Sequence, residues 1–187
     1  MRRGAFPGSF NPPTIAHEAV ALAAIAAHDL DRLDLVVSRV ALAKEGVDRP
    51  RFEDRLAVLE EWTSAHPRLA VVVTNAQLLV DIGRGYELLV VGADKWHQIQ
   101  DPAFYGGSAG RRDAAMAALP PLAVVPRGAD AVPAGLALAV DSDLDDVSST
   151  SARGGARDQM VAAAQAFDVE TGAWTDPARY ERWLERR

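Results

Sequence analysis

Short runs of β-branched and aliphatic residues alternate along the chain with longer alanine- and leucine-rich segments. The runs predict strands at residues 3–6, 33–40, 69–74, 87–92, 122–125 and 136–140. Leu88-Leu89-Val90-Val91 has no polar position at all, and such a strand needs cover on both faces. Helices are predicted between the strands. Residues 15 to about 28 are apolar almost all round, as suits a helix wedged against a sheet. Residues 51–64 put Phe52, Leu56 and Leu59 at i, i+4 and i+7, with Glu53, Glu60 and Glu61 facing away. Asp48 and Pro50 stand just ahead, where a helix start favours them. Further helices are predicted at 113–118, 155–167 and 176–185. This alternation predicts an α/β chain, a Rossmann-like three-layer α/β/α domain with a mostly parallel sheet and right-handed crossovers. There is no internal repeat or long linker. Residues 1–187 therefore read as a single domain, with residues 155–187 as a C-terminal helical extension packed on it. Trp174, Tyr180 and Trp183 are expected to dock that extension, and the glycine-rich residues 106–110 read as a mobile loop.

Composition narrows the function classes. Apolar residues make up 49% of the 187, ordinary for a globular protein. The formal net charge of -6 argues against nucleic acid or an anionic membrane as a partner, so an anionic ligand needs a local positive pocket. Having no cysteine, the chain can form no disulfide, thiolate metal site or cysteine nucleophile. Its start is basic but runs into glycine and proline, unlike a signal peptide, and the apolar stretch 20–27 is too short to span a bilayer. A cytoplasmic location is the expectation.

The first chemistry follows the first strand, in Gly8-Ser9-Phe10-Asn11-Pro12-Pro13-Thr14-Ile15-Ala16-His17. In an open α/β sheet, ligands bind in the crevice beyond the carboxyl ends of the strands. Gly8 admits close approach of an anion, and Ser9 and Phe10 offer backbone N–H groups. Thr14 and His17, three residues apart at a helix opening, share one face near the positive end of its dipole. A hydroxyl and an imidazole there suit a phosphate whose charge grows during displacement. A second constellation is Val147-Ser148-Ser149-Thr150-Ser151-Ala152-Arg153. Alone, a serine-rich turn is a helix cap; with an arginine it also suits a polyphosphate.

The first stretch resembles the G-S/T-F-D/N-P-x-T/H-x-x-H motif of the nucleotidylyltransferase superfamily, and the second resembles its I-S-S-T-x-I-R motif. That superfamily includes nicotinate and nicotinamide mononucleotide adenylyltransferases and pantetheine-phosphate adenylyltransferase. The departures are Ala16, where glycine is common, and the conservative Val147 and Ala152. The motifs stand in the superfamily's order and at about its usual separation. The resemblance implies a catalytic set of His17, Thr14, Lys44 and Arg153. It implies ATP contacts from Gly8, Ser9, Phe10, Asn11, His17, Gly92, Asp94, Ser148, Ser149, Thr150 and Arg153. Lys44 follows the second predicted strand, where this type of enzyme often carries a lysine, although a surface lysine reads equally well. Arg55 is similar to the superfamily's helix arginine, with a structural role the better reading. Gly92-Ala93-Asp94 resembles the G-x-D stretch of the pyridine-nucleotide enzymes. After it come Trp96, Phe104 and Tyr105, candidates to stack on a pyridine ring of the acceptor or simply to pack under the loop.

The implied activity joins AMP from ATP to a phosphorylated acceptor, foremost nicotinate or nicotinamide mononucleotide, with release of pyrophosphate. Mg²⁺ would arrive with ATP, bound by the nucleotide and water, so no protein metal site is expected. Another superfamily branch, using a pantetheine-like acceptor or CTP, stays open, as does a nucleotide-binding module without turnover. Superfamily members assemble from dimers upward, which leaves a homo-oligomer open. Other patterns fail. Gly106-Gly107-Ser108-Ala109-Gly110 matches a nucleophile elbow, but every histidine precedes it. Asp141, Asp143 and Asp145 imitate a calcium loop but lack its glycine and its final glutamate, and read as a solvated loop.

Overall fold

The computed structural model describes residues 1–39, 49–126 and 132–187. Five strands form one parallel sheet: β1 (Arg3–Pro7), β2 (Arg32–Ser38), β3 (Leu69–Thr74), β4 (Leu88–Gly92) and β5 (Leu122–Val125). Their order is β3-β2-β1-β4-β5. β2 and β4 bury both faces, which explains the apolar run of β4, whereas the edge strand β3 is largely half-buried. Leu33, Leu35 and Val37 of β2 enter one core with Phe6 and Val90, whereas Val36 enters a second core with Ala5, Leu89, Val91 and Val124. Two cores on opposite faces of one sheet make the three-layer α/β/α architecture that the sequence pattern predicts.

The first core is closed by α1 (Ile15–Ala27), through Val20, Ala21, Ala24 and Ile25, and by α2 (Phe52–Ser64). On α2 the buried face differs from the expected one. Asp54, Arg55, Val58, Leu59 and Trp62 point inward, and Phe52 and Leu56 are only half-buried. The charged pair displaced the apolar stripe because each finds an internal partner. Asp54 accepts from the Tyr180 hydroxyl and from Arg187, and Arg55 donates to the Ser9 carbonyl. Asp48, expected ahead of this helix, lies outside the described residues.

Other elements also depart from expectation. The segment at 136–140 touches the sheet at one parallel bridge, Val124 to Ala137, and is not a sixth strand. Val124 donates to the Leu136 carbonyl at 2.7 Å and accepts from the Leu138 amide at 2.8 Å, so pairing stops after one residue. Two short helices, α3 (Leu79–Ile82) and α4 (Ala93–Gln100), lack an apolar period strong enough to read. The glycine-rich stretch is partly helical. Gly106 and Gly107 turn the chain at φ of 67° and 74°, and Ser108 caps α5 (Ala109–Ala117), its Oγ accepting from the Arg111 amide.

In place of the helix expected at 155–167 stand a 3-10 turn (Arg157–Gln159) and α7 (Ala162–Thr171), with a separate short α6 (Ser149–Arg153) ahead of them. Met160 interrupts the expected helix by bridging to Thr14. After α7 comes α8 (Pro177–Leu184). Its Tyr180 is fully buried, stacks on Trp183 at 5.8 Å and accepts from the Arg51 amide at 2.9 Å. Burial and the bond to Asp54 push the Tyr180 hydroxyl up to about 12. No helix among the described residues is long and apolar enough to cross a membrane.

Candidate functional site

The strand order reverses direction between β1 and β4, and an open parallel sheet presents a ligand crevice at such a point. A cleft of about 1330 Å³ opens there. Its walls come from the end of β1 and its following loop, the ends of β2 and β4, and α6.

The loop from Gly8 to Thr14 has no regular structure, so each of its backbone groups needs a partner from elsewhere. The Gly8 amide donates to the Val36 carbonyl at 3.1 Å, and Arg55 donates to the Ser9 carbonyl at 3.2 Å. Three successive carbonyls are then taken by the C-terminal part of the chain. Arg153 Nη1 donates to that of Asn11, Ser149 Oγ to that of Pro12 at 2.8 Å, and the Val161 amide to that of Pro13 at 3.2 Å. Phe10 adopts a φ of 43°, unusual for a bulky residue, and is held there by burial. Its ring packs on Phe6 at 5.4 Å, His17 at 5.1 Å and Trp62 at 6.5 Å. Glycine at position 8 makes room for it, since a Cβ there would lie 2.9 Å from the ring.

Thr14 caps α1. Its Oγ1 accepts from the His17 amide at 3.4 Å, while His17 Nδ1 accepts from the Thr14 amide at 3.0 Å and lies 2.7 Å from Thr14 Oγ1. This is a capping box with histidine in the usual place of glutamate. A ring whose Nδ1 accepts a backbone N–H carries its proton on Nε2 when neutral. Thr14 is buried, and both residues line the cleft.

Across the cleft, Ser148 caps α6, its Oγ accepting from the Ser151 amide at 3.0 Å. Thr150 and Arg153 are exposed, with Arg153 Nη2 donating to Thr150 Oγ1 at 3.1 Å. Among the described residues Arg153 has no carboxylate partner. The third wall is the opening of α4, where Gly92 is the N-cap and Asp94 an exposed first-turn residue. The charged lining is Arg49, Lys95 and Arg153 against Asp94 and Asp145, a local positive excess in an acidic chain.

The chain matches no family model and no curated protein.

The cleft therefore gathers Gly8, Ser9, Asn11, Thr14, His17, Gly92, Asp94, Ser148, Ser149, Thr150 and Arg153. Phe10 stands behind it, a support for the His17 ring rather than a wall. Lys44 lies outside the described residues. Trp96, Phe104 and Tyr105 do not line the cleft. Trp96 packs against the second core, Tyr105 donates its hydroxyl to the Ile99 carbonyl at 2.9 Å, and Phe104 is partly exposed. Arg55 is buried with its Nε unpaired, and burial lowers its pKa. Asp141, Asp143 and Asp145 are exposed, with Asp141 Oδ1 accepting from the Asp143 amide at 3.1 Å. Sequence reasoning missed Arg49, Gln77 and Trp174 as lining residues. None belongs to a motif. Trp174 carried a signal only as an aromatic in the C-terminal extension.

Proposed function

We propose that the chain is a nucleotidylyltransferase that transfers AMP from ATP to a phosphorylated acceptor and releases pyrophosphate. One observation carries the reading: two phosphate-suited groups from opposite ends of the chain, Thr14 with His17 and Thr150 with Arg153, face one cleft at the switch point of the sheet. The hydrogen bonds from Arg153 to Asn11 and from Ser149 to Pro12 hold the two groups in one frame. The resemblance of both stretches to the superfamily's motifs supports the same conclusion.

A phosphate oxygen of the acceptor attacks the α-phosphorus of ATP. The bond from that phosphorus to the α,β-bridging oxygen breaks, and pyrophosphate leaves with the electron pair. No protein nucleophile is required, so positioning and charge stabilisation supply the rate. His17, oriented through Nδ1, and Thr14 sit where the α-phosphate gathers charge, and Arg153 and Thr150 take the leaving pyrophosphate. Lys44 is a further candidate for those phosphates.

The cleft's donor set fits Mg²⁺ brought by the nucleotide. Asp94 and Asp145 are the lining carboxylates. One or two carboxylates with phosphate oxygens and water are what this ion accepts. When bound it neutralises charge on the phosphate oxygens.

Nicotinate or nicotinamide mononucleotide is the first acceptor to test, giving a pyridine dinucleotide. A second reading, a pantetheine-like acceptor, gains support from the aliphatic and amide side chains of Leu79, Ile82, Gln77 and Gln98 in the cleft, away from which Trp96, Phe104 and Tyr105 lie. The test is pyrophosphate release with ATP and Mg²⁺ against both pyridine mononucleotides and phosphopantetheine, repeated with CTP. Release with one acceptor assigns the branch. ATP binding without release from any of these acceptors would mean an acceptor outside the panel or a module that has kept the site and lost the reaction.

A further inference from the structure

The C-terminal segment does more than cover the first core. Asp168 of α7 is fully buried, yet its carboxylate is saturated with donors. Oδ1 accepts from the Trp174 amide at 2.8 Å and the Thr175 amide at 3.0 Å. Oδ2 accepts from Thr175 Oγ1 at 2.6 Å and from Arg157 Nε at 2.7 Å. These bonds fold the turn after α7, which Gly172 permits at a φ of 75°, where a Cβ would meet the Asp176 carbonyl at 2.8 Å. The turn delivers the Trp174 indole, 5% exposed, to the phosphate-facing loop. There Nε1 donates to Asn11 Oδ1 at 2.7 Å, in a bond buried between residues 163 positions apart. Asn11 is itself buried, and its backbone carbonyl is the one that Arg153 grips.

We propose that Trp174 and Asp168 are positioning residues of this site. They set the Asn11 peptide, and with it the spacing between the Arg153 guanidinium and the Thr14–His17 pair. The proposal rests on the cleft being the nucleotide site, and it assigns the extension a part in catalysis without contact with the reacting atoms. A buried hydrogen bond with one partner removed leaves the other unsatisfied, so the loop carries the cost locally.

Trp174→Phe keeps a ring against Phe167, whose centroid lies 5.9 Å away, but removes the rest of the indole with the N–H and so also leaves a cavity. Asn11→Ala breaks the same bond without that packing loss, leaving Trp174 Nε1 unpaired. Hydrogen exchange on the unliganded proteins is the first readout. Amides in residues 8–17 and 148–153 are expected to exchange about tenfold faster in either variant, with a smaller change in β3 and a small fall in Tm. The double variant should loosen no more than either single one. In pyrophosphate release, kcat should fall in Trp174→Phe by a larger factor than the KM for ATP rises. Unchanged exchange, or acceleration spread evenly over the chain, would overturn the positioning role. A wild type that releases no pyrophosphate with any tested acceptor would count against the transferase reading alone, and the exchange pattern would still decide the role of Trp174.

Discussion

His17 joins three levels of the structure in one side chain. Its Nδ1 accepts from the amide that opens α1, its ring rests on Phe10, and it lines the cleft. In the proposed transfer, a group so placed would act on charge that develops at phosphorus more than on ground-state binding. His17→Ala is expected to lower kcat by about 10²–10³, the scale of losing one preorganised donor. The Kd for ATP should change by less than about threefold, as for an interaction made mainly in the transition state. Turnover and calorimetric binding check this, and equal losses in both would argue against the role. Behind the ring, Gly8→Ala would drive a methyl against Phe10, 2.9 Å from its nearest ring atom. A cost of about 1–3 kcal/mol in chemical denaturation is expected, typical of overpacking. Thr14 and His17 were legible because a helix opening writes them three residues apart. The Asn11–Trp174 bond was not, since neither residue's neighbours in sequence mention the other. The Phe10 ring's place was not legible for a related reason: the sequence reading used only its backbone N–H, and its left-handed backbone turns the ring into the core.

Among the elements, β4 was the most legible, because burial on both faces leaves the unbroken apolar run Leu88-Leu89-Val90-Val91. Helices half-open to solvent leave no such mark, and α4 was missed for that reason. On α2 the apolar period pointed to a face rotated from the real one. The spacing of Phe52, Leu56 and Leu59 could not reveal that Asp54 and Arg55 have internal partners. The distinction is measurable. Leu59 is 1% exposed in the first core, and Leu59→Ala should cost about 2–5 kcal/mol. Leu56→Ala, at a half-buried position, should cost well under half as much. Equal costs would restore the face that the sequence predicts. The short α6 depends on its cap, and Ser148→Ala should destabilise the protein by about 1 kcal/mol through the lost bond to the Ser151 amide.

For the whole molecule, buried ionisable groups set the range of pH over which the fold holds. Asp34 of β2 is fully buried and accepts from Arg3 and Arg32 at 2.5 Å each and from the Tyr86 hydroxyl at 2.8 Å. Burial alone would raise its pKa, but the bonds from Arg32, Arg3 and Tyr86 outweigh it and hold the carboxyl below its ordinary value. Asp168, beside the cleft, behaves alike: burial opposes ionisation, and the bonds from Thr175, the Trp174 amide and Arg157 prevail. A carboxyl depressed in the folded state binds fewer protons there than in the unfolded chain. Its stabilisation is complete above an unfolded pKa of about 3.9 and is lost as pH falls through the folded value. The phenols work in the opposite direction. Burial and a carboxylate acceptor push Tyr86 and Tyr180 up to about 12, so the folded chain holds those protons more tightly. That contribution is present below an unfolded pKa of about 10 and disappears as pH rises toward the folded value. The Tm is therefore expected to be nearly level between these limits and to fall on both sides. Calorimetric scans across pH on the wild type, Asp34→Asn and Tyr180→Phe would separate the two limbs. Asp34→Asn lowers the Tm at neutral pH by unpairing two arginines, yet its acid limb should be shallower because one depressed carboxyl is gone. Tyr180→Phe should flatten the alkaline limb and leave the acid one alone. A wild-type Tm that stays level well below pH 4 would mean that neither carboxyl is depressed, and that the hydrogen bonds around Asp168 do not outweigh its burial.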